Sequence, residues 1–303
     1  ISIKSNKIWN GINIYELVNP QLIPLLGGVL YPNNILNTRI DENVYIKFLN
    51  NIKPDIIHIH TLMGIHKEFI DAANYLNIKI VFTSHDYYGI CPKVNLITND
   101  QKVCNDYKNG ESCIECNSNG YKTSLIYIMQ SKIYRDFKES KFIRKLRKLK
   151  KNKIINEVQS KEKFKIDINK SREYANLREY YVNMLKNMSY IHFNSNVAMQ
   201  QYKEIIPNIR GEVLNITHSD IKINKIYRDF SSEKEKLKIT YLGPLDKYKG
   251  FYLLKESLES LLHRKITEWQ LNVYGDERTL DLDEKYFVFH GKYNYHDLDK
   301  ILD

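Results

Sequence analysis

Long apolar runs are missing from this sequence. No stretch approaches the roughly 18 apolar residues that a membrane-spanning helix needs, and no secretory leader opens the chain. The first residues are Ile-Ser-Ile, without Met, so the start of the protein is expected to lie upstream. No internal repeat recurs at solenoid periods. Neither a full P-loop nor a G-x-G-x-x-G fingerprint appears. Acidic residues are scarce in one window. From Lys132 to Lys153 there are 11 basic residues against Asp136 and Glu139 alone, a net +9. The whole chain carries +10 from 46 basic and 36 acidic residues. The remainder is therefore nearly neutral, which disfavours a uniformly basic nucleic-acid binder.

What is present points to a two-domain globular protein. A length of 303 residues suggests two domains. A chain of that size buries about 75% of its extended surface and needs no disulfide or metal to fold. Hydrophobic residues at 43% and charged residues at 27% exclude wholesale disorder and fibrous classes.

The segment Asp55-Ile56-Ile57-His58-Ile59-His60 reads as a buried strand. Residues 66–76 place Phe69, Ala72, Ala73 and Leu76 at helical spacing, and Ile78 to Thr83 is a second β-branched run. Strand–helix–strand units of this kind build parallel sheets. The stretch 91–120 reads as a loop holding all four cysteines, and 122–188 as a charged helical insertion with breaks expected near Asn152 and Asp167. Residues 189–193 form a strand, and 196–205 a helix capped by Ser195 or Asn196. Residues 212–216 add a short strand. This gives a first domain over 1–225, a linker over 226–236 and a second α/β pattern over 237–303. In that second pattern, strands at 237–242, 269–274 and 286–289 alternate with helices at 250–262 and from 296. It reads as an incomplete domain.

In open parallel sheets ligands sit beyond the carboxyl ends of the strands. His60 and His85-Asp86 occupy such positions, and histidine can hydrogen-bond anionic or hydroxyl-rich ligands or move protons. His58, inside its strand, reads instead as a buried structural histidine. In the second half, Gly243 follows a strand, and Lys249-Gly250 opens a helix whose free N–H groups favour a phosphate or diphosphate. An ordinary turn with a solvated lysine is the plain alternative. The cysteines are spaced C-x12-C-x8-C-x2-C (Cys91, Cys104, Cys113, Cys116). Without a secretory leader, a structural four-thiolate zinc site is placed ahead of disulfides and of free thiols, with an iron–sulfur cluster third. Phe137, Phe142, Ile143, Leu146 and Leu149 line one side of the basic stretch. Such a helix can lie on an anionic membrane surface or pack as a solvated hairpin.

Together these pieces resemble the retaining glycosyltransferases of family 4, also called group 1, which have the GT-B fold. Lys53 to His60 looks like that family's K-P-D-[IV]-[IV]-H-[ILV]-H strand. Thr83-Ser84-His85-Asp86-Tyr87-Tyr88-Gly89-Ile90-Cys91-Pro92 resembles the H-D-[YF]…C-P segment of a cysteine-containing subgroup. Phe193-Asn194-Ser195 is similar to the serine after the last N-domain strands. Leu242-Gly243 through Lys249-Gly250 is similar to the donor-phosphate motif, and Gly275 and Gly291 match later strand ends. The resemblance covers about residues 45–303 apart from the charged insertion.

It implies two Rossmann-like domains facing a cleft. An acceptor would lie on the first domain (His60, Asp86, Ser195) and a UDP- or GDP-linked sugar on the second (Gly243, Lys249, Gly250, Gly275, Gly291, Lys292). The sugar would move with retention to a glycan or lipid-linked acceptor, in polysaccharide or glycoconjugate synthesis, without a catalytic metal. Lys249 would stabilise the leaving diphosphate, His85 would face the donor sugar, and the main chain at Gly291 and Lys292 would contact the base. The setting implied is cytoplasmic, peripheral to the inner face of the plasma membrane through Lys132 to Lys153. Pro244 stands where the family has an arginine of the phosphate clamp. The family's first glycine-rich loop and its E-x7-E motif are not in the sequence. These departures predict weak activity for the 303-residue chain and a transferase at full length. Two other readings are a non-catalytic zinc-bearing interaction module and a nucleotide-sugar epimerase of the same fold.

Overall fold

A computed structural model describes residues 1–23, 27–100, 102–140, 167–216, 236–246 and 249–302. The chain opens with Ser2–Trp9 (β1) and Ile12–Val18 (β2), paired antiparallel. Asn10 and Gly11 make the turn with φ of 48° and 80°. Both positive values suit a two-residue hairpin, for which Asn-Gly is the favoured pair. The short helix Asn33–Leu36 (α1) and the helix Asn43–Ile52 (α2) follow. The expectations above assigned no element to these first 52 residues.

The strand–helix–strand unit forms as expected: Ile56–Ile59 (β3), Lys67–Tyr75 (α3) and Lys79–Ser84 (β4). The cysteine stretch departs from a plain loop. It carries a 3-10 turn, Lys108–Gly110, and a helix, Glu111–Cys116 (α4), that bears two of the thiols. The helical insertion is not continuous either. Thr123–Gln130 (α5) stops at Ser131, whose extended backbone and hydroxyl then cap Lys132–Phe137 (α6). The rest of the basic stretch, from Lys141 to Lys153, lies outside the described residues, as does the linker up to residue 235. Asp167 marks a helix start. Its carboxylate accepts the Asn169 and Lys170 amides and caps Ile168–Lys186 (α7). Tyr190–Phe193 (β5), Asn196–Ile205 (α8) and Gly211–Val213 (β6) complete this part.

Strands β3, β4, β5 and β6 form one parallel sheet in that order. Its core joins Ile59, Ile80, Phe82, Ile191 and Phe193 to Ala72 and Ala73 of α3. Helix α7 buries Leu177, Tyr181, Met184 and Leu185 in the same core. Their spacing puts them on one helical face, and each contributes about 1.5–3 kcal/mol of burial. β3 is an edge strand, so Ile56 is 57% exposed rather than buried as its apolar run suggested.

Leu237–Leu242 (β7), Phe251–His263 (α9), Trp269–Tyr274 (β8) and Phe287–Gly291 (β9) follow. A 3-10 turn, Tyr295–Asp297, leads into Leu298–Leu302 (α10). β7, β8 and β9 make a second parallel sheet. Trp269, Leu271 and Val273 alternate inward from β8 and pack with Phe251 and Leu258 of α9. The chain divides into two compact units, Ile1–His218 and Ser219–Asp303. The architecture is therefore mixed α/β with two parallel sheets. Among the described residues no helix is long and apolar enough to cross a membrane.

Candidate functional site

The carboxyl edge of the first sheet gathers four histidines. His58 and His60 lie two apart on β3 and so share a face; their rings are 4.1 Å apart. His60 Nδ1 lies 3.0 Å from Nε2 of His85, just past β4, and both rings are exposed. Register pairs Thr83 of β4 with His192 of β5. Thr83 Oγ1 sits 2.7 Å from His58 Nε2 and 3.1 Å from His192 Nδ1, and His192 Nε2 is 2.6 Å from the Leu214 carbonyl.

That chain assigns the protons. A carbonyl only accepts, so His192 must donate through Nε2. In the Nε2–H tautomer, Nδ1 accepts the Thr83 hydroxyl proton, and Thr83 accepts from His58 Nε2–H. His58 is held below the usual histidine range, first by burial and then by repulsion from His60, His192 and His85. It is hydrogen-bonded as expected, but it is exposed rather than buried. His192 and Thr83 were not among the expected site residues. Their one signal is nonlocal: the register of β4 against β5.

Asp86 adjoins His85. Burial raises its carboxyl above the ordinary value, against the pull of the Tyr88 amide and of His85. Its Oδ1 accepts the Tyr88 amide, and its carbonyl accepts the Tyr202 hydroxyl at 2.8 Å. Ser195 has a different job at hand, since its Oγ accepts the Ala198 amide at 3.1 Å and caps α8. The edge thus offers His60 and His85 to solvent on a rigid base of His58, Thr83 and His192. Such an edge can donate hydrogen bonds to hydroxyls or anions and can exchange a proton.

In the second unit all three strands end at glycine. Leu242, Tyr274 and Gly291 stand in register, and Gly243 and Gly275 follow the first two. The Gly243 amide donates to Tyr274 O and the Gly275 amide to Gly291 O. At Gly275, φ is +103° and a Cβ would come within 3.0 Å of the Gly243 amide nitrogen. Two backbones meet there closely enough that a side chain would have to push one of them back by a few tenths of an ångström. Lys249 is exposed one position before Gly250, the N-cap of α9. The turn between is tied down by Asp276, whose Oδ2 accepts the Leu245 amide at 2.8 Å. Arg278 bridges Asp276 and Asp246, and its hydrogen bonds hold the Asp276 carboxyl well below the usual range. Lys292 pairs with Glu277 at 2.8 Å, both exposed.

The four cysteines come together in the first unit. Cys91, Cys104, Cys113 and Cys116, with Lys93 and Arg178, line one small cavity of about 10 Å³. None is in a disulfide. Burial pushes the Cys104, Cys113 and Cys116 thiols up, Cys113 to about 12, while Arg178 pulls Cys104 and Cys113 the other way. Among the described residues no three His, Cys, Asp or Glu side chains already stand in a ligating arrangement. Comparison with family models, with curated proteins and with solved structures finds no match to this chain.

Proposed function

We propose that the chain is a retaining glycosyltransferase of the GT-B type, taking a sugar from a nucleotide-diphosphate donor to a glycan or lipid-linked acceptor. One observation carries this reading: the second sheet ends its three parallel strands at Gly243, Gly275 and Gly291, beside Lys249 and the start of α9. Bare backbone at a strand edge admits a pyrophosphate closely. Free N–H groups at a helix start and a lysine then offer fixed positive charge where the leaving diphosphate gains negative charge. His85 and His60 supply hydroxyl-binding groups on the other unit, with Asp86 alongside.

A lipid-linked acceptor fits a further feature. Ile128, Ile133 and Phe137 on α5 and α6 are exposed, Ile133 at 74%. Ile128 precedes the basic stretch and Ile133 and Phe137 lie at its start, and Arg135 of α6 pairs with Glu16 of the hairpin at 2.7 Å. That hairpin presents Ile8, Trp9 and Ile12 to solvent. Apolar side chains beside lysines and arginines suit an anionic bilayer surface.

The test is a nucleotide titration of the 303-residue chain, followed by thermal unfolding. UDP or GDP at 100 times its dissociation constant should add about 2.7 kcal/mol of stability. Lys249→Ala should weaken that nucleotide about 10- to 150-fold, the loss of one charge-assisted contact. A folded chain blind to both nucleotides would count against the transferase reading. It would favour the second one, a non-catalytic module built around the four thiols.

A further inference from the structure

Helix α7 buries an arginine. Arg178 is 6% exposed, and among the described residues no carboxylate lies within ion-pair distance of it. Its guanidinium rests 3.9 Å over the Tyr107 ring and reaches the Cys113 sulfur at 4.0 Å. Arginine stays charged in proteins, and a buried charge without a counter-charge is costly. The acidic protons facing this cation belong to the thiols of the cavity. Lys93 lines the same cavity, its ammonium also hydrogen-bonded to Asn99 at 2.8 Å.

We infer that Cys91, Cys104, Cys113 and Cys116 bind one zinc ion as a four-thiolate structural site, with Arg178 and Lys93 as its charge-balancing outer shell. The charge arithmetic decides for a divalent ion. Four thiolates around one divalent cation carry two negative charges in excess, and the two cations flanking the cavity cancel them. Binding is balanced without redox chemistry: four S–H bonds break, four S–Zn bonds form, and four protons pass to solvent. The sulfurs must converge on the metal. Each is placed by rotation about its χ1 bond, and Cys104 and Cys116 are half-buried where Cys91 and Cys113 are buried.

The surrounding backbone is already fixed. Asn117, 1% exposed, donates to the Cys113 carbonyl at 2.8 Å and accepts the Val29 amide at 2.9 Å. The Cys104 amide donates to Leu96 O, and the Cys91 amide to Tyr87 O, both at 2.7 Å. A closed four-thiolate shell leaves no open coordination position, so the assigned role is architectural. It does not depend on the transferase reading.

The experiment uses the whole chain, reduced and stripped with chelator, then titrated with cobalt(II) and afterwards with zinc. One cobalt per chain with the intense visible bands of tetrahedral thiolate ligation, displaced by one zinc, is the expected result. Arg178→Met should weaken zinc about 10- to 100-fold, as outer-shell losses do, and Arg178→Lys should restore part of it. Cys116→Ser should shift the cobalt spectrum toward three sulfurs. An octahedral, weakly coloured cobalt spectrum on the folded wild-type chain would overturn the site, even if every cysteine variant failed to fold. So would disulfides persisting under reductant. Arg178→Met with unchanged zinc affinity would overturn the charge-balance argument.

Discussion

Gly110 is the sharpest place to test how the cysteine segment is held. It enters α4 at φ +97°, and a Cβ there would sit 2.1 Å from the Ser171 carbonyl oxygen and 3.0 Å from its carbon. No side chain can relieve that contact, because the obstacle is the backbone of α7. Gly110→Ala therefore has two costs. Holding a non-glycine residue in that region costs of order 1–3 kcal/mol. Moving the turn off α7 also breaks the bond from Ser171 Oγ to Asn109 O, 2.8 Å long, worth about 1 kcal/mol. Together they give about 3 kcal/mol, confined to this segment. Cys113 reports on it, being 5% exposed in the folded chain. In chelator-treated protein its alkylation should follow local opening. Mapped by mass spectrometry, it should run about a hundredfold faster in Gly110→Ala. Gly11→Ala is the control, since Gly11 also has a positive φ but nothing within 4 Å of a Cβ. It should leave Cys113 unchanged. A Gly110→Ala rate within about threefold of wild type, less than 1 kcal/mol, would refute the docking argument.

Three other expectations are simpler. Ser195→Ala should cost the first unit about 1 kcal/mol in urea unfolding as a lost helix cap. If stability holds while nucleotide or acceptor binding drops, Ser195 is a ligand residue instead. His66 is buried against the Tyr45 hydroxyl at 2.7 Å, and burial lowers its pKa to about 4. An unfolded histidine titrates near 6.5, so the unfolded chain binds the extra proton between those values. Stability should be full above pH 6.5 and fall by about 2–3 kcal/mol as the pH drops toward 4. His66→Gln should lose that slope, and equal slopes in both proteins would count against it. Vesicles rich in anionic lipid should retain the chain at low salt and release it as salt rises. Retention by neutral vesicles alone would contradict the electrostatic part of the membrane reading.

What could be read from the residues follows how local the signal is. β3, α3, β4 and α8 were legible because period and cap residues lie next to one another in the chain, Ser195 included. The same holds for β7, α9 and β8. The β1–β2 hairpin was missed although Asn10-Gly11 announces it. From Lys4 onward β1 buries no residue fully on either face, so no alternation is imprinted. The stop at Ser131 was hidden because the periodic pattern runs through it, and only the side-chain bond to the Tyr134 amide marks a new start. The histidine pair at the strand ends was visible, but its base was not. Thr83 and His192 are 109 positions apart, and nothing but the sheet brings them together. Arg178 was illegible for another reason. An arginine on a charged helix reads as solvated, and its burial depends on Tyr107 and Cys113 from a distant segment.

The two candidate centres of the first unit are mechanically joined. Six positions separate His85 from Cys91, and most of the steps between them are fastened. Asp86 is held through its carbonyl by Tyr202. Tyr88 is wholly buried and bonded to Tyr181 of α7 at 2.6 Å. Tyr87 closes the turn by accepting the Ile90 and Cys91 amides and donating to Val94 O. A metal gathering the four thiols would therefore fix the loop that carries His85 and Asp86, with α7 as the common wall. Loss of zinc should then loosen His85 more than His60: each directly follows its strand, but His85 opens the loop that runs on to Cys91, whereas the segment after His60 holds no cysteine. That difference is measurable as faster amide exchange at 85–90 in the chelated chain, with 56–60 unchanged. Equal changes in both segments would mean that the thiol cluster supports the whole sheet rather than the strand-end loop.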